Sequence, residues 1–363
     1  RQFLVWAIPY GIGRTFFNTP AALRDVATAL VVGGLIYLPL CLAEVRLSPQ
    51  LNNWVYGFHQ NQFWRNVRFG GFRPVVFMQS GLMVGTWMAT ATLVAFWSWV
   101  TGRPKLLGMP WLLVVAALLV VTVLCKALYA ILLLIAALVL LTILRLGRTK
   151  LPLVALLCCV PAYMAVRSTE TVSAEFVAEP AAPLFGADRA QSLEARLLQE
   201  DALLDHVSTR PTFGWGGWRR SWPIDPETGE YELRGLDGLW TIVMGENGTY
   251  GLFTLFGMLL APVALVLYRF DADQLNQNEY GATAALSVSL LLFCCDCLLN
   301  GMLNPFYLVL AGALSSLPAP SAVTEATTTP QASYQPAPMP VQRSLQWQRP
   351  QLGDLAGEGS GHA

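Results

Sequence analysis

The sequence predicts an all-α integral membrane protein: a multispan helical bundle with one large exterior loop that bears short helices. Three observations predict it. Hydrophobic residues make up 54% of the 363 and charged ones 13%, against about 25% charged in a soluble domain. The apolar residues lie in blocks of roughly 17 to 25, the length that crosses a hydrocarbon core of about 30 Å. Helices let such a block satisfy its own backbone in lipid, and a single long polar stretch, 168–247, interrupts the series.

Residues 2–12 (QFLVWAIPYGI) read as the tail of an earlier span, and a chain that begins at Arg1 without Met is expected to be a fragment. Spans are expected at 27–44, 77–100, 110–125, 127–145 and 151–167, then at 248–268, 281–299 and 301–316. The organisation is therefore an N-terminal membrane part (1–167, about five spans), a loop (168–247), C-terminal spans (248–316) and a tail. The tail, 317–363, is rich in Pro, Ala, Ser and Thr, a composition that buries too little apolar surface to fold, so it is expected to be disordered.

Lys+Arg and Asp+Glu are equal at 23 each, and no nucleic-acid partner is suggested. All seven cysteines fall in apolar blocks. No structural disulfide is expected, and "CCDC" at 294–297 has no second ligand pair to make a zinc site; it reads as buried free cysteine, with no metal and no cofactor.

The turn "RLGRTK" holds Arg145, Arg148 and Lys150 without an acid, and so should face the cytoplasm. Alternation then puts 101–109 and the tail inside and 168–247 outside. From residue 169 to 237 the outer loop carries thirteen acids against six arginines, which agrees with the rule. Loop 45–76 disagrees: it also counts as exterior, yet holds Arg46, Arg65, Arg68 and Arg73 and no acid. Either a helix is miscounted or those arginines are kept outside for a purpose; the plainer reading is that they pair with acids of the large loop or with lipid phosphates.

Arginine is a planar, permanently charged fork that grips phosphate at two points. Neither exterior loop contains lysine, so the two together would suit a pyrophosphate. "RPTFGWGGWRRSWP" (210–223) sets Trp215, Trp218 and Trp222 among glycines; such rings stack on sugars, or form an interfacial aromatic belt. "SLEARLLQEDALLDHV" (192–207) spaces its leucines for an amphipathic surface helix that carries Arg196 and His206. His206 is a possible base, although a surface histidine is more often simply solvated.

Three elements resemble the bacterial O-antigen ligase and polymerase family of membrane glycosyltransferases: Arg196 followed by "PTFGWGG", the loop "VRFGGFRP", and "DGLWTIVMGENGTYG" (237–251). The family's last motif is a His and a polar residue, nine residues, then Gly-x-x-Gly; here Asp237 stands in place of the histidine and Gly238 in place of the polar residue, while Gly248 and Gly251 keep the spacing. The resemblance implies a multi-pass protein of the bacterial inner membrane with a periplasmic loop. It implies inverting transfer of a glycan from a polyprenyl-pyrophosphate carrier to a sugar or lipid-linked acceptor, among membrane lipids and without metal. Arg65, Arg68, Arg73, Arg196 and Arg210 would hold the pyrophosphate, with Arg219, Arg220 and Arg234 in reserve. Trp215 and Trp218 would stack on glycan.

Asp237 would be the base, with His206 the lesser candidate. Asp237 could equally be only the cap of the next helix. Gly245, Gly248 and Gly251 are expected to serve close helix packing, Asn304 and Pro305 to break the last span, and Asp296 is an acid within an apolar run. A non-catalytic polysaccharide assembly or export protein is the alternative.

Overall fold

Polar residues, rather than the apolar runs, set where several helices begin. In the computed structural model the described residues are 2–319, except 69, 104, 170–175, 177–178, 180–182, 184–185, 218, 226 and 232–236. They are overwhelmingly helical. Helix α1 spans Gln2–Phe16 and α2 Pro20–Leu47, the latter opened by Thr19, whose Oγ1 accepts from the Ala22 amide at 3.1 Å. A short helix α3 (Leu51–Tyr56) and a two-stranded hairpin, β1 (Val67–Arg68) and β2 (Gly71–Phe72), follow. Then come α4 (Gly81–Val100), α5 (Trp111–Leu124), α6 (Leu128–Gly147) and α7 (Leu151–Ser168). After the loop helix α8 (Ala187–Val207) come α9 (Leu239–Arg269), α10 (Ala272–Leu275), α11 (Gly281–Leu299) and α12 (Pro305–Ser315).

Six helices, α2, α4, α6, α7, α9 and α11, are long and apolar enough to cross a membrane. The protein is an all-α membrane protein of multi-pass type. Helices α5 and α12, with 14 and 11 residues, reach only about 21 and 16 Å at about 1.5 Å per residue, short of a full span. The centre is α11, 83% of whose most apolar window is buried, flanked by α4; α7 at 22% lies on the outside and turns leucine and valine outward, as a lipid-facing helix does.

Some polar groups inside the bundle are paired between helices. Tyr307 stacks on Phe293 at 3.9 Å and shares a 2.8 Å hydrogen bond with Thr90; Thr92 and Thr122 join α4 to α5 at 2.9 Å. Helices α1 and α12 touch backbone to backbone: a Cβ on Gly13 would strike the Val309 carbonyl, and one on Gly312 the Tyr10 carbonyl.

The loops gather in two groups. At one end, Arg148 pairs with Asp273 (3.3 Å), Lys150 with Asp271 (3.8 Å), and Asn276 donates to the Leu144 carbonyl (3.0 Å). At the other, the Arg73 guanidinium donates to the Lys126 carbonyl (2.8 Å), the Ser80 hydroxyl to the Met302 sulfur (2.7 Å), and the Leu239 amide to the Asn300 carbonyl (3.3 Å). Loop 45–76 is anchored there by Glu44, a buried acid at the end of α2. Its Oε2 accepts from the amides of Val75 and Val76, both at 2.7 Å, and its Oε1 from Leu51 at 2.9 Å. Val76 has φ +52, an unfavourable conformation for a β-branched residue that this clamp holds in place.

The span expected at 248 follows a break at Gly248, and a further helical stretch from Leu239, carrying Thr241, Glu246 and Asn247, precedes it. Two expectations need correction. Asn304 and Pro305 do not break a span. They start α12, where Asn304 Oδ1 accepts from the Phe306 amide at 3.0 Å and Pro305, which has no amide to satisfy, takes the first turn. Gly248 does not serve helix packing, since φ +64 and ψ −164 break α9 there. The tail from 320 lies outside the described residues.

Candidate functional site

The break in α9 is filled by the loop. Residues 211–216 lie along it and supply the missing partners: Trp215 and Gly216 donate their amides to the carbonyls of Gly245 and Glu246 (both 2.9 Å). Thr249 and Tyr250 donate theirs to Pro211 (2.8 Å) and Thr212 (3.1 Å). A helix interrupted by one residue leaves such groups unsatisfied, and here another segment satisfies them. Gly214 has φ +68, and a Cβ there would lie 2.6 Å from the Gly248 amide nitrogen, so both chains need glycine at the crossing. Gly245 faces Ser221 of the same loop. Gly245 and Gly248 therefore serve a loop-to-helix seam, while Gly251 lies against Asn247 of its own helix.

Helix α8 runs from this seam to the end of α7. It buries Leu197, Leu203, Leu204 and Val207, the stripe that its amphipathic pattern requires. The other anchor is Arg167, at the end of α7 and almost wholly buried. Its Nη2 donates to Asp201 Oδ1 (2.6 Å), to the Leu197 carbonyl (3.1 Å) and to Glu200 Oε2 (3.4 Å). Tyr163, one turn earlier on α7, donates to the same Glu200 oxygen at 3.2 Å.

On the exposed side of α8, Arg196 Nε lies 3.0 Å from Asp237 Oδ2. Asp237 is not the cap of α9: Gly238 holds that position and no side chain caps the helix. Arg196 and Glu200, one turn apart on α8, line a narrow cleft with Asp237 and Thr241, and Leu298 and Leu299 of α11 close it. Asp296, buried nearby on α11, accepts from Asn300 Nδ2 at 2.7 Å. Burial pushes the Glu200 carboxyl up to about 7, against the pull of Arg167 and Tyr163.

No protein-family model, curated protein or solved structure matches this chain. The geometry of the site thus stands by itself. It joins a permanent cation, an ion-paired carboxylate and a carboxyl that titrates near neutrality, at the end of a membrane bundle.

The other sequence candidates lie apart from that cleft. Arg210 sits over the Trp215 ring, 4.2 Å from its centre, and His206 stacks on the same ring at 4.4 Å and 16°. His206 is thus held against an aromatic face rather than simply solvated. Arg65 rests on Trp64 at 5.4 Å, Arg68 is exposed on β1, and Arg73 is buried against Lys126. None of these three lines the cleft, and among the described residues no ion pair joins Arg65 or Arg68 to an acid of the large loop. Arg219 lies 4.9 Å from the Trp222 ring centre. Trp218 and Arg234 lie outside the described residues.

Glu200, Arg167 and Tyr163 were not singled out by sequence. One signal was present for Glu200: it follows Arg196 by four positions on a helix, and so shares its face.

Proposed function

We propose that the protein is a membrane glycosyltransferase of the O-antigen ligase or polymerase type. It moves a glycan from a polyprenyl-pyrophosphate carrier to a sugar hydroxyl in cell-surface polysaccharide or lipopolysaccharide assembly at the bacterial inner membrane. The observation that carries this reading is the meeting of Arg196 with two acids, Asp237 and Glu200, in one cleft at the bundle's end. A donor anchored in the bilayer presents its phosphates at that depth, and a guanidinium stabilises the charge that develops on the leaving pyrophosphate. An acid of the cleft takes the proton of the attacking hydroxyl. The seam between "PTFGWGG" and the Gly-x-x-Gly turn also supports it, because it gives two motifs of the resemblance one structural task.

The placement of Arg65, Arg68 and Arg73 away from the cleft favours the second reading, a non-catalytic assembly or export protein whose arginines meet headgroups or polymer. The experiment that separates them expresses the full-length protein in membranes of a strain lacking it, and follows both lipid-linked donor and transferred glycan. Product formed by wild type and lost in Arg196→Ala at equal protein level supports the transferase. Donor that stays intact with wild-type protein present supports the second reading.

A further inference from the structure

Two carboxylates line the cleft, and they are held differently. Asp237 is half exposed and commits Oδ2 to Arg196 at 3.0 Å. Glu200 is buried, and its Oε2 takes both contacts from α7, the Tyr163 hydroxyl at 3.2 Å and Arg167 at 3.4 Å. Its Oε1 is buried and has no hydrogen-bond partner among the described residues.

If Glu200 only balanced the Arg167 charge, the shorter contact should be theirs. It belongs to Asp201, at 2.6 Å. A buried carboxylate oxygen left without a donor costs stability, and a structure that keeps one beside a cleft keeps an acceptor for something that enters. Among the described residues the charged and titratable groups around Glu200 are Tyr163 and Arg167 on α7, Arg196 and Asp201 on its own helix, and Asp237 before α9, with Asp296 of α11 near Arg196.

We propose that Glu200 is the proton acceptor for the attacking hydroxyl, and that Asp237 is a positioning residue that aims Arg196 at the donor phosphate. The assignment rests on the transferase reading above. As the acceptor oxygen bonds to the anomeric carbon, its proton passes to Glu200. The bond from that carbon to the pyrophosphate oxygen breaks, and the electron pair leaves on the phosphate beside Arg196. Glu200 then returns the proton to water. A carboxyl poised near neutrality suits this task, since a base works best with its pKa close to the working pH.

The test uses the full-length protein in lipid nanodiscs and two readouts. Infrared difference spectra across pH, without substrate, should show a carboxyl titrating near pH 7 that is absent in Glu200→Gln and retained in Asp237→Asn. Transfer from polyprenyl-pyrophosphate-linked glycan, extracted from cells lacking the protein, should rise with pH through about 7. It should fall about 100-fold or more in Glu200→Gln and recover in part in Glu200→Asp. Asp237→Asn should raise KM for the donor while keeping the wild-type pH profile.

A missing carboxyl signal overturns the assignment whatever the activity. Normal rate and pH profile in Glu200→Gln, with an active wild type, overturn the base and leave the transferase intact. A titrating carboxyl in a wild type that consumes no donor overturns the transferase reading and the catalytic role together.

Discussion

Arg196 and Asp237 meet at 3.0 Å across the junction of α8 and α9, with about a third and a half of their side chains exposed. An ion pair this open to solvent contributes only about 0 to 1 kcal/mol. Arg196→Gln and Asp237→Asn should therefore leave the thermal midpoint in detergent within about 2 °C of wild type. Glycan transfer should fall by about 100-fold in Arg196→Gln, because the lost charge acts on the leaving group. A matching collapse of midpoint and activity would make the pair structural.

Glu200 gives stability a pH dependence of defined sign. Its folded carboxyl, near 7, lies above the ordinary value of 4.5, so between those values the native state holds a proton that the unfolded chain has released. Stability should decline as pH rises through that window, by about 3 kcal/mol in full. Glu200→Gln should flatten the decline and melt higher than wild type at pH 8; midpoints measured from pH 4 to 8 check this.

The seam at Gly214 and Gly248 should be intolerant of a methyl group. Both residues have positive φ and each would drive a Cβ into the other's backbone, so either change to alanine should cost about 2 kcal/mol or more. The double variant should cost less than the sum, since one displacement relieves both clashes. Midpoints of the two single variants and the double variant give the coupling directly.

Glu44→Gln should loosen loop 45–76. The variant would replace one carboxylate oxygen by an amide that cannot accept, opposite three amides now bonded at 2.7 to 2.9 Å. A loss of about 3 kcal/mol is expected, with Val76 relaxing from its positive φ. Limited proteolysis should cut within 48–79 in the variant before wild type.

The fold class was legible because lipid imposes a length and a composition on every span, and both are local properties of sequence. The helical stretch 239–247 ahead of the break was not, because Thr241, Glu246 and Asn247 are polar for reasons outside their own segment: they lie where the loop and the cleft meet the helix. Helical period put Glu200 beside Arg196, but its burial depends on Arg167 and Tyr163, 33 and 37 positions away. Arg65, Arg68 and Arg73 announced positive charge without direction, since a loop's sequence does not fix where its side chains come to rest.

The four main-chain bonds between 211–216 and α9 also bear on biogenesis. The strap is translated ahead of the helix it completes, so it is already outside the ribosome when α9 enters the bilayer. Until the two meet, α9 carries two carbonyls and two amides with no partner at its break, groups that each cost several kcal/mol in hydrocarbon. Grafting a foreign loop between α7 and α9 would therefore disable insertion of the helix as well as the cleft, and swaps between proteins of this architecture should carry residues 210–251 as one piece.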